Sequence, residues 1–159
     1  MGAVGRNIID QQWLNLVTAA TPQHARWLRV RFKQWLQAVG ACAAVVDDLV
    51  LAVYEALANA VEHAYLPDHP HPVVRLQAQL DHDQVLVTIS DHGCWRTPRD
   101  PGHRGRGLAV MRYLATEVQL YPTAQGTVVR LRAPLRRDSG GAWAEPAIGH
   151  CDSDDPAAL

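Results

Sequence analysis

One segment constrains this chain more than any other: the apolar periodicity between Ala43 and Tyr65. At about 100° per residue, Val46, Leu49, Val50, Val53, Leu57, Ala60, Val61 and Ala64 fall in a single arc. That spacing predicts one long helix, opening at Ala43 or Ala44 and stopped by Pro67, with this arc turned to a core. Asp48, Glu55, Asn59 and Glu62 fall roughly opposite, with Ala52, Ala56 and His63 at one margin. A wholly solvated polar side would look the same. The small alanines beside Glu55 and Asn59, however, are expected to leave room for a ligand lying on the helix. Glu55 and Asn59 are four residues apart and therefore stack on one face. A carboxylate beside a carboxamide suits a general base and a ligand for a phosphate-bound metal ion.

The segments around this helix predict a single layered domain. Trp13 to Thr18 alternates as a short strand. Thr21-Pro22 pairs a hydroxyl N-cap with a first-turn proline, and predicts a helix running to Val39 and ended by Gly40. Leu28, Phe32, Trp35, Leu36 and Val39 form its apolar stripe. Arg26, Arg29 and Lys33 lie off that stripe, with Trp27 nearly opposite part of it. That is either a solvated basic face or a protein-binding one anchored by an exposed tryptophan.

Val74 to Leu80 and Val85 to Asp91 alternate as two strands about the turn Asp81-His82-Asp83, a predicted antiparallel hairpin. His92 to Arg106 is rich in Gly, Pro, Arg and His, too long for a simple connection and suited to a lid. Helical spacing returns over Gly107 to Thr116. Val118 to Tyr121 reads as a strand, Pro122 to Gly126 as a turn and Thr127 to Ala133 as a final strand. The expected order is strand, two helices, two strands, lid, helix, two strands. Strands grouped apart from helices predict an α/β (α+β) two-layer sandwich, with a mixed, mainly antiparallel sheet covered on one face by helices. Residues 1–11 read as an N-terminal extension, 12–135 as the domain and 136–159 as a disordered acidic tail.

Composition narrows the function classes. The 159 residues suffice for one domain with a real core, and a formal net charge of −1 supplies no overall pull towards nucleic acid or anionic membrane. Lys33 is the only lysine, so a cation meeting a phosphate here is expected to be arginine, which binds in a bidentate manner. Cys42, Cys94 and Cys151 lack metal-type spacing, and an odd number without a secretion signal points to a reducing compartment. No apolar run is long enough for a bilayer. A soluble, cytoplasmic protein is the expectation. His69 and His71 beside Asp68 lack the fourth ligand of a structural zinc site.

Beyond the helix, Asp91 ends an apolar run where it can read a base edge. The glycines of Gly105-Arg106-Gly107 let backbone amides approach phosphates. Together these elements read as an ATP site without a Walker-type P-loop. They also carry a resemblance. Asp48 to Tyr65, with Glu55-Ala56-Leu57-Ala58-Asn59 at its centre, Asp91-His92-Gly93-Cys94-Trp95, Gly105-Arg106-Gly107-Leu108-Ala109-Val110-Met111 and Gly126-Thr127 occur in the order and on the elements of the GHKL (Bergerat-fold) ATP-binding domain. Within that group the chain resembles the anti-sigma-factor serine/threonine-protein kinases of bacteria.

The resemblance implies a role for each matched residue. Asn59 coordinates Mg²⁺, a hard cation that takes oxygen ligands and keeps several waters. Glu55 acts as general base towards a serine hydroxyl or water. Asp91 accepts from the adenine amino group, Gly93 allows a close turn beneath the base and Thr127 supports both. Gly105, Gly107 and Leu108 meet the phosphates at the start of a helix. Arg104 or Arg106 clamps phosphate, a role His103 could also fill; His63 reads as structural.

The short, proline-rich lid from Arg96 to His103 and the lack of a phosphoacceptor-histidine helix argue against a sensor histidine kinase. The implied partners are a sigma factor, an anti-anti-sigma (STAS-type) protein phosphorylated on serine or threonine, and a second copy in a homodimer, with no direct nucleic acid and no membrane. Two other classes fit the same residues: a non-catalytic ATP-binding module acting by sequestration, and an interaction domain with no nucleotide site.

Overall fold

The computed structural model describes residues 7–66, 69–93 and 106–137. The chain runs β1 (Ile8–Ile9), β2 (Trp13–Ala19), α1 (Pro22–Ala38), α2 (Ala43–His63), β3 (Val73–Asp81), β4 (Gln84–Asp91), α3 (Arg106–Leu114), β5 (Glu117–Thr123) and β6 (Gly126–Pro134). Among the described residues the strands form one six-stranded sheet in the order β1-β2-β3-β4-β6-β5. Every pairing in it is antiparallel, so the sheet is not mixed as expected. Short turns account for two of these pairings: β3 turns into β4 through His82-Asp83 and β5 into β6 through Ala124-Gln125, connections that permit only antiparallel neighbours.

Local chemistry accounts for the element ends. Thr21 Oγ1 accepts from the His24 N–H at 3.3 Å and caps α1. Gly40, at φ +81°, turns the chain out of that helix. His82 takes a positive φ of 54° in the hairpin turn, a conformation histidine tolerates better than bulkier residues. The turn expected over Pro122 to Gly126 shrinks to two residues, because Pro122 and Thr123 still pair with Thr127 and Gly126.

The three helices cover one face of the sheet. Leu14, Leu16, Val74, Leu76, Ala78, Val85, Val87, Ile89, Val129 and Leu131 meet Leu28, Phe32, Trp35, Leu36, Leu49, Val53 and Leu57 in a single buried cluster. α2 is the central helix, packed against α1 on one side and α3 on the other. This position overturns one expectation. Ala52 and Ala56 are fully buried, whereas Val50 and Val61 are only partly so. The alanines serve close packing with neighbouring elements and do not open space for a ligand.

The opposite face of the sheet is mixed, with the row Trp13, Gln79, Leu86, Arg132 and Glu117 set by the strand register. Beyond β6 the Arg136 carbonyl accepts from the Cys42 N–H at 2.7 Å, which ties the segment after β6 to the α1–α2 turn. The lid expected over residues 96–103, and the tail from Asp138 on, lie outside the described residues.

Candidate functional site

Two groups of predicted residues assemble along α2. The first joins α2 to α3. Gly107, in the first turn of α3, lies so close to α2 that a Cβ there would stand 3.0 Å from Glu55 Oε2 and 3.5 Å from Asn59 Nδ2. Glu55 and Asn59 are half-buried. The first turn of a nine-residue helix thereby lies beside a carboxylate and a carboxamide. Free amides in a first helical turn favour anions, so a phosphate there would meet helix amides with Asn59 and Glu55 alongside. Leu108, on the same turn, is half-buried against the core.

The second group lies where β4 ends beside the start of β6. Asp91 is buried, with 7% of its surface exposed. Its Oδ1 accepts from the N–H groups of Gly93, at 3.0 Å, and of Thr127, at 3.2 Å. Oδ2 accepts no hydrogen bond among the described residues and could meet a ligand. Burial pushes the Asp91 carboxyl above its ordinary value, against the opposing pull of the two amides. Thr127 is itself buried, and it contributes its backbone N–H to the carboxylate.

Gly93 is required for a reason that sequence did not suggest. A Cβ at this position would lie 2.0 Å from the carbonyl oxygen of Ala64, at the end of α2. The demand for glycine therefore comes from the protein's own backbone. Gly126 makes a matching approach: at φ +134°, its Cβ would lie 2.0 Å from the Asp91 carbonyl oxygen. The sequence assigns a role neither to Gly126 nor to Tyr65, whose hydroxyl accepts from the His92 N–H at 2.8 Å. The only signals available were a glycine directly before Thr127 and an aromatic residue closing the helix motif.

The two groups are joined by α2 itself. Asn59 and Ala64 are separated by about 8 Å of helix, a span that a nucleotide can bridge with its base at Asp91 and its phosphates at Gly107. Arg104 and Gly105 lie outside the described residues, as does the Arg106 side chain. Among the described residues no group of three or more His, Cys, Asp or Glu side chains could hold a metal ion unaided. A single oxygen from Asn59 is instead compatible with a cation that takes its other ligands from phosphates and water.

Helices on one face of an antiparallel sheet, with a carboxamide helix beside a helix that carries glycine in its first turn, define a class. The chain matches the histidine kinase-like ATPase domain family over residues 18–133, and it belongs to that family. Among relatives, it is 31% identical over 104 residues to an anti-sigma F factor of Pasteuria penetrans, covering 57% of this chain and 69% of that one. It is 24% identical over 83 residues to the serine-protein kinase RsbW of Staphylococcus aureus, covering 52% of each. The chain thus spans about half the length of the staphylococcal relatives. A solved structure of RsbU and RsbW domains from Mycobacterium tuberculosis superposes with a TM-score of 0.64 at 32% identity, over 79% of this chain and 33% of that chain. A histidine kinase domain from Erythrobacter litoralis superposes with a TM-score of 0.52 at 25% identity, over 68% of this chain and 61% of that one. Among the described residues no helix is long and apolar enough to cross a membrane.

Proposed function

We propose that this domain is an anti-sigma factor and an ATP-dependent protein serine/threonine kinase. It binds Mg·ATP along α2, sequesters a sigma factor and phosphorylates a STAS-type anti-anti-sigma protein. The observation that carries this reading is the approach of Gly107 to Glu55 Oε2 and Asn59. It sets a carboxylate beside helix amides suited to the phosphates, a base that binding alone does not need. The relatives named anti-sigma F factor and serine-protein kinase RsbW support the same reading.

The residues fit the nucleotide. Oδ2 of Asp91 takes the adenine amino group and would repel the keto oxygen of guanine. The space that a Gly107 side chain would occupy lies against Glu55 and Asn59. Asn59 would hold Mg²⁺, which neutralises phosphate charge when bound. Gly107 and Leu108 present the helix start; Gly105 is proposed to meet the phosphates there, with Arg104 or Arg106 as the clamp. Glu55 takes the proton from the attacking hydroxyl; the γ-phosphoryl group passes to that oxygen and ADP leaves. Phosphoryl transfer depends chiefly on positioning and charge stabilisation, which is what these groups supply.

The expected result for Glu55→Gln is ATP affinity within about twofold of the parent and phosphorylation of the partner reduced at least about a hundredfold. Isothermal titration and a phosphotransfer assay read the two arms. Equal phosphorylation by parent and variant would remove Glu55 from the chemistry. Absence of phosphorylation in both, with ATP still bound, would leave a module that acts by sequestration. For Asn59→Ala the expected loss is the magnesium-dependent part of ATP binding.

The proposed partner surface lies on α1. Trp27 is 37% exposed, with the Arg31 guanidinium 5.6 Å from its ring centre. Arg29 is less free than expected, because its guanidinium sits 4.9 Å from the Tyr54 ring centre on α2. Trp27→Ala is therefore expected to weaken partner binding about tenfold or more, as removal of an aromatic anchor does, with the ATP affinity unchanged. Arg29→Glu is expected to weaken it too, alongside a small loss of stability from the broken ring contact. A homodimer acting in the cytoplasm completes the proposal.

A further inference from the structure

Tyr65 has no part in the roles above, yet it joins the pieces of backbone that surround Asp91. Its hydroxyl donates to the Val73 carbonyl and accepts from the His92 N–H at 2.8 Å. Val73 opens β3, and its neighbour Val74 pairs with Asp91. His92 is the middle residue of the turn that the Asp91 carboxylate closes onto the Gly93 N–H. Gly93 in turn rests on the carbonyl of Ala64, the residue before Tyr65. One phenol thus braces the end of α2, the start of β3 and the turn after β4, using its donor and an acceptor site together.

Packing alone does not require the hydroxyl. The half-buried ring lies tilted at 60° against His69, with centroids 4.7 Å apart, and phenylalanine would fill the same volume. What the hydroxyl adds is a fixed position for the His92–Gly93 backbone. Oδ1 of Asp91 is tied to that backbone through Gly93 and to β6 through Thr127. The direction of Oδ2 follows from where those two amides sit. Thr127 belongs to a strand in the sheet; the Gly93 amide belongs to a turn whose middle N–H is held by Tyr65.

We propose that Tyr65 is a positioning residue for base specificity: its hydroxyl holds the turn after β4 so that Asp91 Oδ2 meets a 6-amino purine and rejects a 6-keto purine. This rests on the nucleotide site proposed above. Tyr65 touches no nucleotide in this scheme and acts only through Asp91. A purely structural tyrosine would affect every purine nucleotide alike, whereas a residue that aims the carboxylate changes the ratio between them.

The test compares Mg·ATP with Mg·ITP, whose base carries a keto oxygen in place of the amino group. The parent chain and its Tyr65→Phe variant are titrated with both, and amide hydrogen exchange at His92 is followed without nucleotide. For Tyr65→Phe the expected loss of ATP affinity is about fivefold, with ITP changed less than about twofold, so that the preference falls. His92 exchange is expected to speed up by about tenfold, since its N–H loses a protein acceptor. An unchanged ATP-to-ITP ratio in the variant, with the parent still preferring ATP, overturns the role of Tyr65 and leaves the ATP site standing. Unchanged His92 exchange overturns the brace itself. A parent protein that binds neither nucleotide refutes the ATP site, and the specificity role with it.

Discussion

Asp91→Asn is expected to yield a protein at least as stable as the parent that binds ATP at least about a hundredfold more weakly. Both halves follow from the same burial. Desolvation holds the folded-state pKa of Asp91 above its ordinary 3.8. For an acid with a raised folded pKa, the charged form is the disfavoured one. The stability it contributes is fullest below the unfolded value, and is lost as pH rises through the folded value. At neutral pH the ionised group is therefore a cost to the fold. Asparagine removes that charge, and its Oδ1 can still accept from Gly93 and Thr127, which donate to the parent carboxylate. Its Nδ2, however, puts a donor where the adenine amino group also donates. Two buried donors then face one another without an acceptor. Thermal melting without nucleotide and isothermal titration with Mg·ATP check the two halves. A variant that melts far below the parent would show that the charge serves the fold and not a ligand. A second consequence concerns pH. Parent ATP affinity should fall as pH drops through the raised Asp91 value, because the ligand binds the ionised form. The asparagine variant should show no such step.

Much of the fold is written in periodicity, and the residues where that fails share a cause. α2 was legible because its apolar positions repeat over many turns, and α1 because Thr21-Pro22 marks its start. The β3–β4 hairpin was legible from strict alternation on both sides of a polar turn. β1 was not, since two residues carry no period and gain their strand character only from pairing with Asn15 and Leu14. Ala52 and Ala56 were misplaced because a helix with neighbours on both flanks buries a wider arc than a helix on a surface.

The candidate site divides along the same line. Glu55 and Asn59 share a face by spacing alone, but their approach to Gly107 is a contact between separate helices. Asp91 was visible as the polar end of an apolar run. Its two amide partners, the brace from Tyr65 and the seat of Gly93 on Ala64 are tertiary, and a glycine in a sequence does not say which atom it makes way for.

That last contact predicts a second large effect: Gly93→Ala should destabilise the protein by about 3 kcal/mol and lower its melting temperature by about 10 °C. An added Cβ would stand 2.0 Å from the Ala64 carbonyl oxygen and 2.4 Å from its carbonyl carbon. Those atoms are backbone at the end of α2, whose Ala64 N–H is bonded to the Ala60 carbonyl, so they cannot swing aside as a long side chain would. The turn carrying Gly93 cannot yield easily either. It is held by the Asp91 carboxylate on one side and through His92 by Tyr65 on the other. Relief requires breaking one of those bonds, and either break spoils the aim of Asp91. The variant should therefore lose ATP binding even at temperatures where it remains folded. This separates it from Asp91→Asn, which loses ATP without losing stability. It also separates it from an alanine at Gly107, where the nearest atom is the far end of the Glu55 side chain at 3.0 Å and a rotation can give the space. Chemical denaturation of the three variants beside the parent tests the ranking. If Gly93→Ala unfolds at the same denaturant concentration as the parent, the turn after β4 does not rest on the end of α2, and the glycine must answer to the ligand instead.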